Sequence, residues 1–303
     1  MNNMSKIQDP RLGKPVTIVT GATEGIGRAL ADEFARAGHD LLLVARDATK
    51  LARTADQIAL DHPVTVKITA QDLSTAEGCE GVELALRRFG LYADILVNNA
   101  GIMRSGFAQD QRPETIRRII DLNVRAAIDL TLRFLPGMVT KGRGGILNVS
   151  SMLGFMPVPY QAGYGASKAA LTSFTKALAW EAMGTGVKVS VLAPGVVATG
   201  LHRRAGSQNS RYLFWLPAWT PENIARVAYR RFTRGATVIV PGIFNQIGAL
   251  AVRIVPDLLV VALMGWFFRV RDQEGNILMP GRSTEPALKR HRERVPARVS
   301  VGD

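Results

Sequence analysis

The sequence predicts an α/β fold in which helices cover both faces of a parallel sheet of about seven strands. The first observation is that short β-branched and apolar runs alternate with amphipathic stretches of helical length from residue 16 to residue 240. The second is that most of these runs stop at glycine, asparagine, serine or proline. In such a doubly wound sheet the carboxyl ends of the strands meet at one crevice, where ligands bind.

The first predicted strand, residues 16–20, leads directly into a glycine-rich turn at residues 21–27. A helix is predicted after this turn, over residues 28–37. A strand, a glycine turn and a helix begin a mononucleotide-binding unit, because glycines let the backbone approach a pyrophosphate at the helix N-terminus. The spacing is G-x-x-x-G-x-G rather than G-x-G-x-x-G, so the turn by itself does not identify the ligand.

The second predicted strand, residues 40–45, is followed by Arg46 rather than by a carboxylate. A carboxylate at this place binds the hydroxyls of an unphosphorylated ribose, whereas a guanidinium suits a 2′-phosphate. Arg46 therefore favours a phosphorylated ribose, with an exposed loop arginine as the alternative. The third strand, residues 64–69, is followed by Asp72, which could accept an adenine amine or form a turn or a helix cap.

The fourth predicted strand, residues 95–98, ends in Asn-Asn-Ala-Gly at 98–101. Small and amide residues there leave room for a flat ring and offer hydrogen bonds, although a plain turn is the alternative. A long helix is predicted over residues 113–135, with Asn123 in its interior. Asparagine is a poor helix former, and a buried amide needs a partner or a water molecule.

The fifth predicted strand, residues 145–151, ends in two serines, and the helix predicted over 164–183 begins with Tyr164. Lys168 follows one turn later on the same face. A tyrosine titrates near ~10, and a nearby ammonium lowers that pKa by stabilising the phenolate. The spacing therefore predicts an acid/base pair, with a solvated helix face as the alternative.

Taken together, these residues resemble the short-chain dehydrogenase/reductase superfamily over residues 14–242. The matching residues are Thr20, Gly21, Gly25, Gly27, Asp72, Asn98, Asn99, Ala100, Gly101, Asn123, Ser151, Tyr164, Lys168, Pro194 and Gly195. The resemblance implies a Rossmann-fold catalytic domain, an oxidoreductase activity and NADP(H) in preference to NAD(H). Glu24 departs from this pattern, because many NADP(H)-preferring members carry a basic residue there.

The resemblance also assigns roles to single residues. Tyr164 would be the general acid in reduction or the base in oxidation, and Lys168 would lower its pKa and hold the nicotinamide ribose. Ser151 would hydrogen-bond the substrate oxygen, and Asn123 would hold a water molecule that links Lys168 to solvent. The implied cofactor-binding residues are Gly21, Thr23, Gly25, Ile26, Gly27, Arg46, Asp72, Asn99, Ala100, Gly101, Tyr164, Lys168, Pro194, Gly195, Val197 and Thr199.

Large apolar side chains at residues 212–216 resemble the family's mobile lid and imply a hydrophobic carbonyl or alcohol substrate. The alternative is a lid that only packs on the core. Residues 243–279 are predicted to form an apolar helical segment, interrupted at Pro256, that covers the cleft, dimerises or lies in a membrane interface. We expect a disordered arm at 1–13 and a basic mobile tail at 280–303.

The composition limits the classes of ligand and partner that the protein can bind. Lys and Arg number 38 against 25 Asp and Glu, so the net charge of +13 suits anionic partners, but no nucleic-acid motif accompanies it. No metal site is expected from the four histidines, and the single cysteine, Cys79, excludes an intrachain disulfide.

We expect a cytoplasmic homodimer or homotetramer that binds no nucleic acid, with peripheral contact to the inner face of a membrane as an option. The competing function is a non-catalytic NADP(H)-binding protein that docks on a membrane or a partner through residues 243–303.

Overall fold

The computed structural model describes residues 13–207, 209–271, 277 and 279. Within these residues the sheet is parallel and its strands have the order β3-β2-β1-β4-β5-β6-β7. The strands are β1 Lys14–Thr20, β2 Leu41–Ala45, β3 Val66–Ala70, β4 Leu91–Asn98, β5 Gly144–Val149, β6 Val187–Leu192 and β7 Val238–Ile239. The chain winds outward from β1 in one direction and from β4 in the other, which confirms the predicted doubly wound fold.

Helices cover both faces of this sheet. They are α1 Gly25–Arg36, α2 Ala48–Asp61, α3 Ala76–Phe89, α4 Pro113–Ile120, α5 Ala126–Thr140, α6 Ala162–Glu181, α7 Leu201–Ala205, α8 Tyr212–Trp215, α9 Pro221–Thr233, α10 Ile243–Ala251 and α11 Asp257–Phe268. One core layer joins the sheet to α1, α2 and α9, and a second joins it to α3, α5 and α6.

Successive residues of the central strands supply these two layers alternately. Val19 and Leu43 pack in the first layer, whereas Ile18 and Leu42 pack in the second, and all four are fully buried. Because both faces of a parallel sheet are covered, its strands are apolar along their whole length rather than alternating. The rigid sheet holds the strand ends, and the loops that follow them, in fixed positions.

The prediction of one regular helix over residues 113–135 is wrong at Asp121–Arg125, which form a π-helical turn between α4 and α5. Asn123 lies in this turn and is buried, with its side-chain amide bonded to the backbone of Ile102. Wide turns of this kind are rare and often occur at functional sites. The polar residue inside the apolar pattern was the sequence signal for the irregularity.

The C-terminal segment forms α10 and α11, which are separated by residues 252–256. Across the part of the chain that the structure describes, no helix combines the length and the apolarity that crossing a bilayer requires. The predicted arm at 1–13, apart from Gly13, and the predicted tail at 280–303 lie outside the described residues.

Candidate active site

The glycine-rich turn between β1 and α1 borders a cleft of about 560 Å³ at the carboxyl end of the sheet. Gly21 and Gly25 have φ angles of 64° and 55°, which residues with a side chain rarely adopt. A Cβ atom on Gly27 would lie 2.2 Å from the carbonyl oxygen of Gly21, so the turn requires glycine there. The backbone is therefore open to close approach by a phosphate group.

Two adjoining cavities bring together all of the predicted cofactor-binding residues. The cleft is lined by Gly21, Thr23, Gly25, Ile26, Gly27, Arg46, Asp72, Asn99, Ala100, Gly101 and Thr199. The second cavity, of about 300 Å³, is lined by Tyr164, Lys168, Pro194, Gly195 and Val197, together with Ser151. Ile26, Asn99 and Gly101 line both cavities, so a ligand in the cleft can reach the second cavity directly.

A set of hydrogen bonds holds the end of β4 against the glycine-rich turn. The Thr20 hydroxyl accepts from the backbone N–H groups of Asn99, at 2.9 Å, and Ala100, at 3.0 Å. The Asn99 side chain donates to the carbonyl oxygens of Thr20, at 2.9 Å, and Gly21, at 3.2 Å. These bonds place Asn99 and Ala100 beside the glycines, although about eighty residues separate the two segments.

Arg46 and Asp72 lie at the far end of the cleft. Arg46 is exposed, whereas Asp72 accepts bonds from the Ser74 backbone N–H and hydroxyl and forms an ion pair with Arg118 at 3.3 Å. Burial raises the pKa of Asp72, but the Ser74 bonds and the charges of Arg118 and Arg46 outweigh it and hold that pKa below its usual value. Asp72 thus has the turn role that the sequence allowed while still lining the cleft.

Arg204 of α7 is a cleft residue that sequence reasoning missed. Its guanidinium forms two contacts with the carboxylate of Glu24 in the glycine-rich turn, one of them a hydrogen bond of 3.0 Å. Both residues line the cleft. The acidic departure noted at Glu24 is therefore neutralised by a cation from a distant part of the chain, and no local pattern in the sequence could reveal it.

Ser151, Tyr164 and Lys168 come together where β5 meets α6. Ser151 follows β5, and the other two side chains project from the first turns of α6. All three are buried, and all three line the second cavity. The Lys168 ammonium donates to the carbonyl oxygen of Val149 at 2.8 Å and lies 5.7 Å from the centre of the Tyr164 ring.

The neighbouring serine, Ser150, has different surroundings. Its hydroxyl bonds to the carbonyl oxygen of Lys168, at 2.9 Å, and to the hydroxyl of Thr172, at 2.6 Å. These bonds fasten the end of β5 to α6. Ser150 therefore supports the position of Lys168. Ser151, in contrast, forms a hydrogen bond with Tyr164, and this bond lowers the pKa of the Tyr164 phenol.

Burial dominates the pKa values of the tyrosine and the lysine. It raises the pKa of Tyr164 to about 12, and the hydrogen bond from Ser151 offsets only part of the rise. Burial also lowers the pKa of Lys168 to about 8. The net direction for Tyr164 is therefore upward, against the predicted lowering of its pKa, because desolvating a phenolate is costly and the Ser151 hydrogen bond offsets only part of that cost.

Asn123 has its side-chain donors fully occupied. Its amide nitrogen donates to the carbonyl oxygen of Ile102, at 2.9 Å, and to the Ser167 hydroxyl, at 3.0 Å. Its amide oxygen accepts from the Ile102 N–H at 2.9 Å. Asn123 thus joins the π-helical turn to Ile102 and to Ser167, next to Lys168 in the chain, and the predicted water contact could use only the remaining acceptor capacity of the side chain.

The loop after β6 carries the last group of predicted residues. The carbonyl oxygen of Pro194 accepts from the Met152 N–H at 3.0 Å, and a Cβ atom on Gly195 would lie 2.7 Å from the Asn245 side chain. A Cβ atom on Gly25 would lie 3.1 Å from the Thr199 methyl group. The loop therefore closes on the glycine-rich turn on one side and on α10 on the other.

The second cavity is mainly apolar, and the C-terminal segment supplies part of its wall. The loops and α7 contribute these wall residues: Met103, Met152, Leu153, Met156, Leu201 and His202. Helix α8, the residue after it and the C-terminal helices contribute the others: Tyr212, Leu216, Phe244, Asn245, Gly248, Met264, Phe267 and Phe268. These contacts agree with the first of the three roles predicted for residues 243–279, which is to cover the cleft. Tyr212 is buried while Phe214 and Trp215 are exposed, so the predicted lid both lines the cavity and faces solvent.

A polar group of residues interrupts the apolar wall. His202 and the Tyr212 hydroxyl are 2.9 Å apart, and that hydroxyl donates to Ser207 at 3.0 Å. Burial raises the pKa of Tyr212 and lowers the pKa of His202. Gln161 is fully buried, and its side-chain oxygen has no hydrogen-bond partner among the described residues. An unpaired buried acceptor is costly, so a donor on a bound ligand would stabilise it.

A doubly wound sheet with a glycine-rich cleft, joined to a buried serine, tyrosine and lysine, defines a nucleotide-dependent oxidoreductase. The family model described as short chain dehydrogenase matches residues 15–210. The chain therefore belongs to the short-chain dehydrogenase family and is an enzyme of that family, as the resemblance implied.

Three similar proteins come from different organisms. A very-long-chain 3-oxoacyl-CoA reductase of Mus musculus is 35% identical over 202 residues, which are 63% of this chain and 62% of the relative. The chain thus matches less than two thirds of that relative's length. The short-chain dehydrogenase from Sphingobium yanoikuyae in complex with NADPH has a TM-score of 0.71 and 32% identity, covering 78% of this chain and 92% of the other. A bulky-bulky ketone specific alcohol dehydrogenase from Comamonas testosteroni has a TM-score of 0.67 and 27% identity, covering 80% and 94%.

Proposed function

We propose that the protein transfers a hydride between NADP(H) and the carbonyl or alcohol of a hydrophobic substrate, such as a ketone, an aldehyde, or an acyl or lipid-like compound. The observation that carries this proposal is the position of Ser151, Tyr164 and Lys168 in an apolar cavity that adjoins the nucleotide cleft. The protein groups needed for proton transfer thus face the space where a hydrophobic carbonyl would lie.

The residues of the cleft fit a dinucleotide. Gly21, Gly25 and Gly27 leave space against the backbone, and the N-terminus of α1 favours the negative charge of a pyrophosphate. Asn99, Pro194 and Thr199 would hold the nicotinamide end beside Tyr164 and Lys168. When bound there, the nicotinamide supplies the hydride.

The chain's own residues would manage the proton and the charge on the substrate oxygen. Ser151 and Tyr164 form a pair of hydroxyl donors for an oxygen that becomes more negative during reduction. The Tyr164 phenol carries its proton at neutral pH and hydrogen-bonds with Ser151, so it would be the group that donates a proton to the substrate oxygen. Lys168, with a pKa near 8, carries a proton that it can exchange.

Two basic groups support NADP(H) in preference to NAD(H). Arg46 is exposed at the end of β2, and its guanidinium suits a 2′-phosphate. Arg204 pairs with Glu24, so the carboxylate of the glycine-rich turn would repel a bound phosphate less. The neighbour from Sphingobium yanoikuyae was solved in complex with NADPH, which accords with this choice.

The cavity wall suggests what kind of substrate fits. Methionines at 103, 152, 156 and 264 are flexible and accommodate bulky apolar groups. The unpaired Gln161 oxygen would accept a hydrogen bond from a polar group on an otherwise hydrophobic substrate. Two of the similar proteins are described as acting on long-chain acyl and bulky ketone substrates, and both substrate types agree with this wall.

Self-association into a homodimer or a homotetramer is part of the proposal. Leu132 of α5, Trp180 of α6 and Met183 just after α6 are large apolar side chains that are exposed in the single chain. Such a group of side chains on neighbouring helices is typical of a contact between subunits. Light scattering after size exclusion would give the number of subunits.

The test is NADPH oxidation with a series of methyl ketones that differ only in alkyl length. Each added methylene that enters the cavity should raise kcat/KM about fourfold, from roughly 0.8 kcal/mol per buried CH₂ group, until the cavity is filled. Polar ketoses and short ketones serve as controls and should react slowly. NADPH binding without turnover of any carbonyl compound would favour the non-catalytic alternative.

A further inference from the structure

The second C-terminal helix, α11, is apolar on every side after Asp257, although half of its residues are exposed. Its sequence is DLLVVALMGWFF, yet among its twelve residues only Val260 and Phe268 are buried. A helix that is apolar all round is normally enclosed by protein or lipid. Leu258 is 80% exposed, and Ile254 just before the helix is 78% exposed. Something must therefore cover this helix in the working enzyme.

The exposed side chains form one surface with those of α8 and α10. We call the exposed apolar side chains of residues 214–216 and 243–266 the apolar face. Trp215 of α8 and Trp266 of α11 pack edge to face, with their ring centres 5.9 Å apart. The Arg211 guanidinium lies 4.3 Å from the centre of the Trp266 ring. An apolar area of this extent on a single chain marks an interaction site.

A basic cleft of about 620 Å³ lies along one edge of the apolar face. Arg230, Arg231, Arg234 and Arg253 line it, and no aspartate or glutamate does. Within the ranges that the structure describes, none of these four guanidiniums has a carboxylate partner. Four unpaired positive charges around one cavity suit phosphate groups.

Helix α10 connects the apolar face to the basic cleft and to the second cavity beside Tyr164, which we call the substrate cavity. Ile243, Ile247 and Leu250 follow one another at helical spacing and are exposed. Leu250 also lines the basic cleft, and Phe244 on the other flank lines the substrate cavity while being 78% exposed. The basic cleft, the apolar face and the rim of the substrate cavity are therefore neighbouring parts of one surface.

The geometry points to an anionic membrane as the partner of this surface: the basic cleft takes lipid phosphates, the apolar face enters the interfacial layer, and the substrate cavity opens toward the lipid. Trp215 and Trp266 are the aromatic residues that such an interface favours. Helix α11, with twelve residues, is about 18 Å long at 1.5 Å per residue, so it lies along the surface. A hydrophobic substrate would then enter without crossing water.

A second copy of the chain fits this surface less well than lipid does. In a two-fold symmetric dimer the same patch meets itself, so the arginines of one basic cleft would approach those of the other. Residues 243–271 contain three arginines and a single acidic residue, Asp257, and cannot supply the opposite charge. Lipid phosphates can supply it along the whole edge.

The experiment is sedimentation of the full chain with phosphatidylcholine vesicles and with vesicles that also contain phosphatidylglycerol. We expect binding to the anionic vesicles that weakens as salt is raised. Arg231→Gln/Arg234→Gln should lower the partition coefficient about twenty-five-fold at low salt, since each basic residue contributes about fivefold near an anionic surface. The matched control, Arg53→Gln/Arg88→Gln, removes two exposed charges from α2 and α3 and should have little effect.

The apolar face is tested separately. Ile254→Glu/Leu258→Glu changes two exposed residues that line neither cavity and should lower binding at least tenfold, while Leu60→Glu on α2, 85% exposed, should not. Thermal unfolding checks that each variant is folded. The fraction of tryptophan fluorescence that brominated acyl chains quench should fall in Trp266→Phe and should not fall in Trp180→Phe.

Two results would overturn the inference. One is equal binding of the wild-type chain to neutral and anionic vesicles, or binding to neither. The other is conversion of an oligomer to a monomer by Ile254→Glu/Leu258→Glu with no change in vesicle binding, which would assign the apolar face to a second copy of the chain.

Discussion

Glu24 and Arg204 form an ion pair across the nucleotide cleft, although 180 positions separate them in the sequence. Glu24 belongs to the glycine-rich turn, and Arg204 belongs to the short helix α7 on the other side of the cleft. Both side chains are more than half exposed, so the pair adds little to stability, about 0.2–1 kcal/mol. The pair matters because Arg204 neutralises the negative charge of Glu24, which a bound nucleotide would otherwise face.

Arg204→Ala should weaken NADPH binding about tenfold, the scale of a lost charge–charge contact, with a smaller effect on NADH. The reason is that the unpaired Glu24 carboxylate would then lie near the extra phosphate. Adding Glu24→Gln to Arg204→Ala should recover part of the affinity, because it removes the repulsion. Titration calorimetry with both nucleotides measures this, and an unchanged affinity in both variants would exclude an electrostatic role for the pair.

Tyr164→Phe should leave NADPH binding nearly intact and lower kcat by about a hundredfold or more, the scale of lost general acid catalysis. The phenol is buried and hydrogen-bonded by Ser151, so the change removes one hydroxyl without altering the ring. Tyr92→Phe, on β4, is a matched control that should retain full turnover. Wild-type turnover in Tyr164→Phe would show that another group donates the proton.

Arg46→Ala should weaken NADPH about ten- to hundredfold, which corresponds to roughly 1.5–3 kcal/mol for a charged hydrogen bond. NADH should bind as before, because it lacks the 2′-phosphate. Arg53→Ala removes an exposed arginine from α2 outside the cleft and controls for the loss of net charge. An equal loss of both nucleotides in Arg46→Ala would mean that this arginine does not read the phosphate.

The pKa of Lys168 predicts how stability changes with pH. The folded chain has a Lys168 pKa of about 8 against an ordinary value of 10.5, so between these pH values the unfolded chain binds one more proton. Stability therefore rises with pH through this window, by up to about 1.4 kcal/mol per pH unit, and the cost of burying the charge is fully present below pH 8.

Lys168→Met removes this titration and gives the reference. Denaturant unfolding of the wild type and the variant from pH 7 to pH 10 should show the wild type gaining stability over the variant above pH 8. The gain between pH 7 and pH 10 should be about 2.5 kcal/mol. A constant difference between the two proteins at all pH values would mean that Lys168 titrates normally in the folded chain.

The sequence by itself determined the alternation of strands and helices and the pairing of Tyr164 with Lys168. Apolar runs that alternate with helical periodicity predicted a doubly wound sheet, because these periods depend only on neighbouring residues. Tyr164 and Lys168 could be paired in advance, since residues four apart on a helix share a face. The glycines at 21, 25 and 27 were equally readable, because backbone geometry restricts those positions to glycine.

The tertiary structure alone decided which distant residues complete the site. Arg204 reaches Glu24, Asn245 packs on Gly195, and α10 and α11 form part of the cavity wall, all through contacts between segments far apart in the chain. The upward shift of the Tyr164 pKa was likewise beyond the sequence. Burial is a property of everything packed around a side chain, so the desolvation that sets this pKa exists only once the chain has folded.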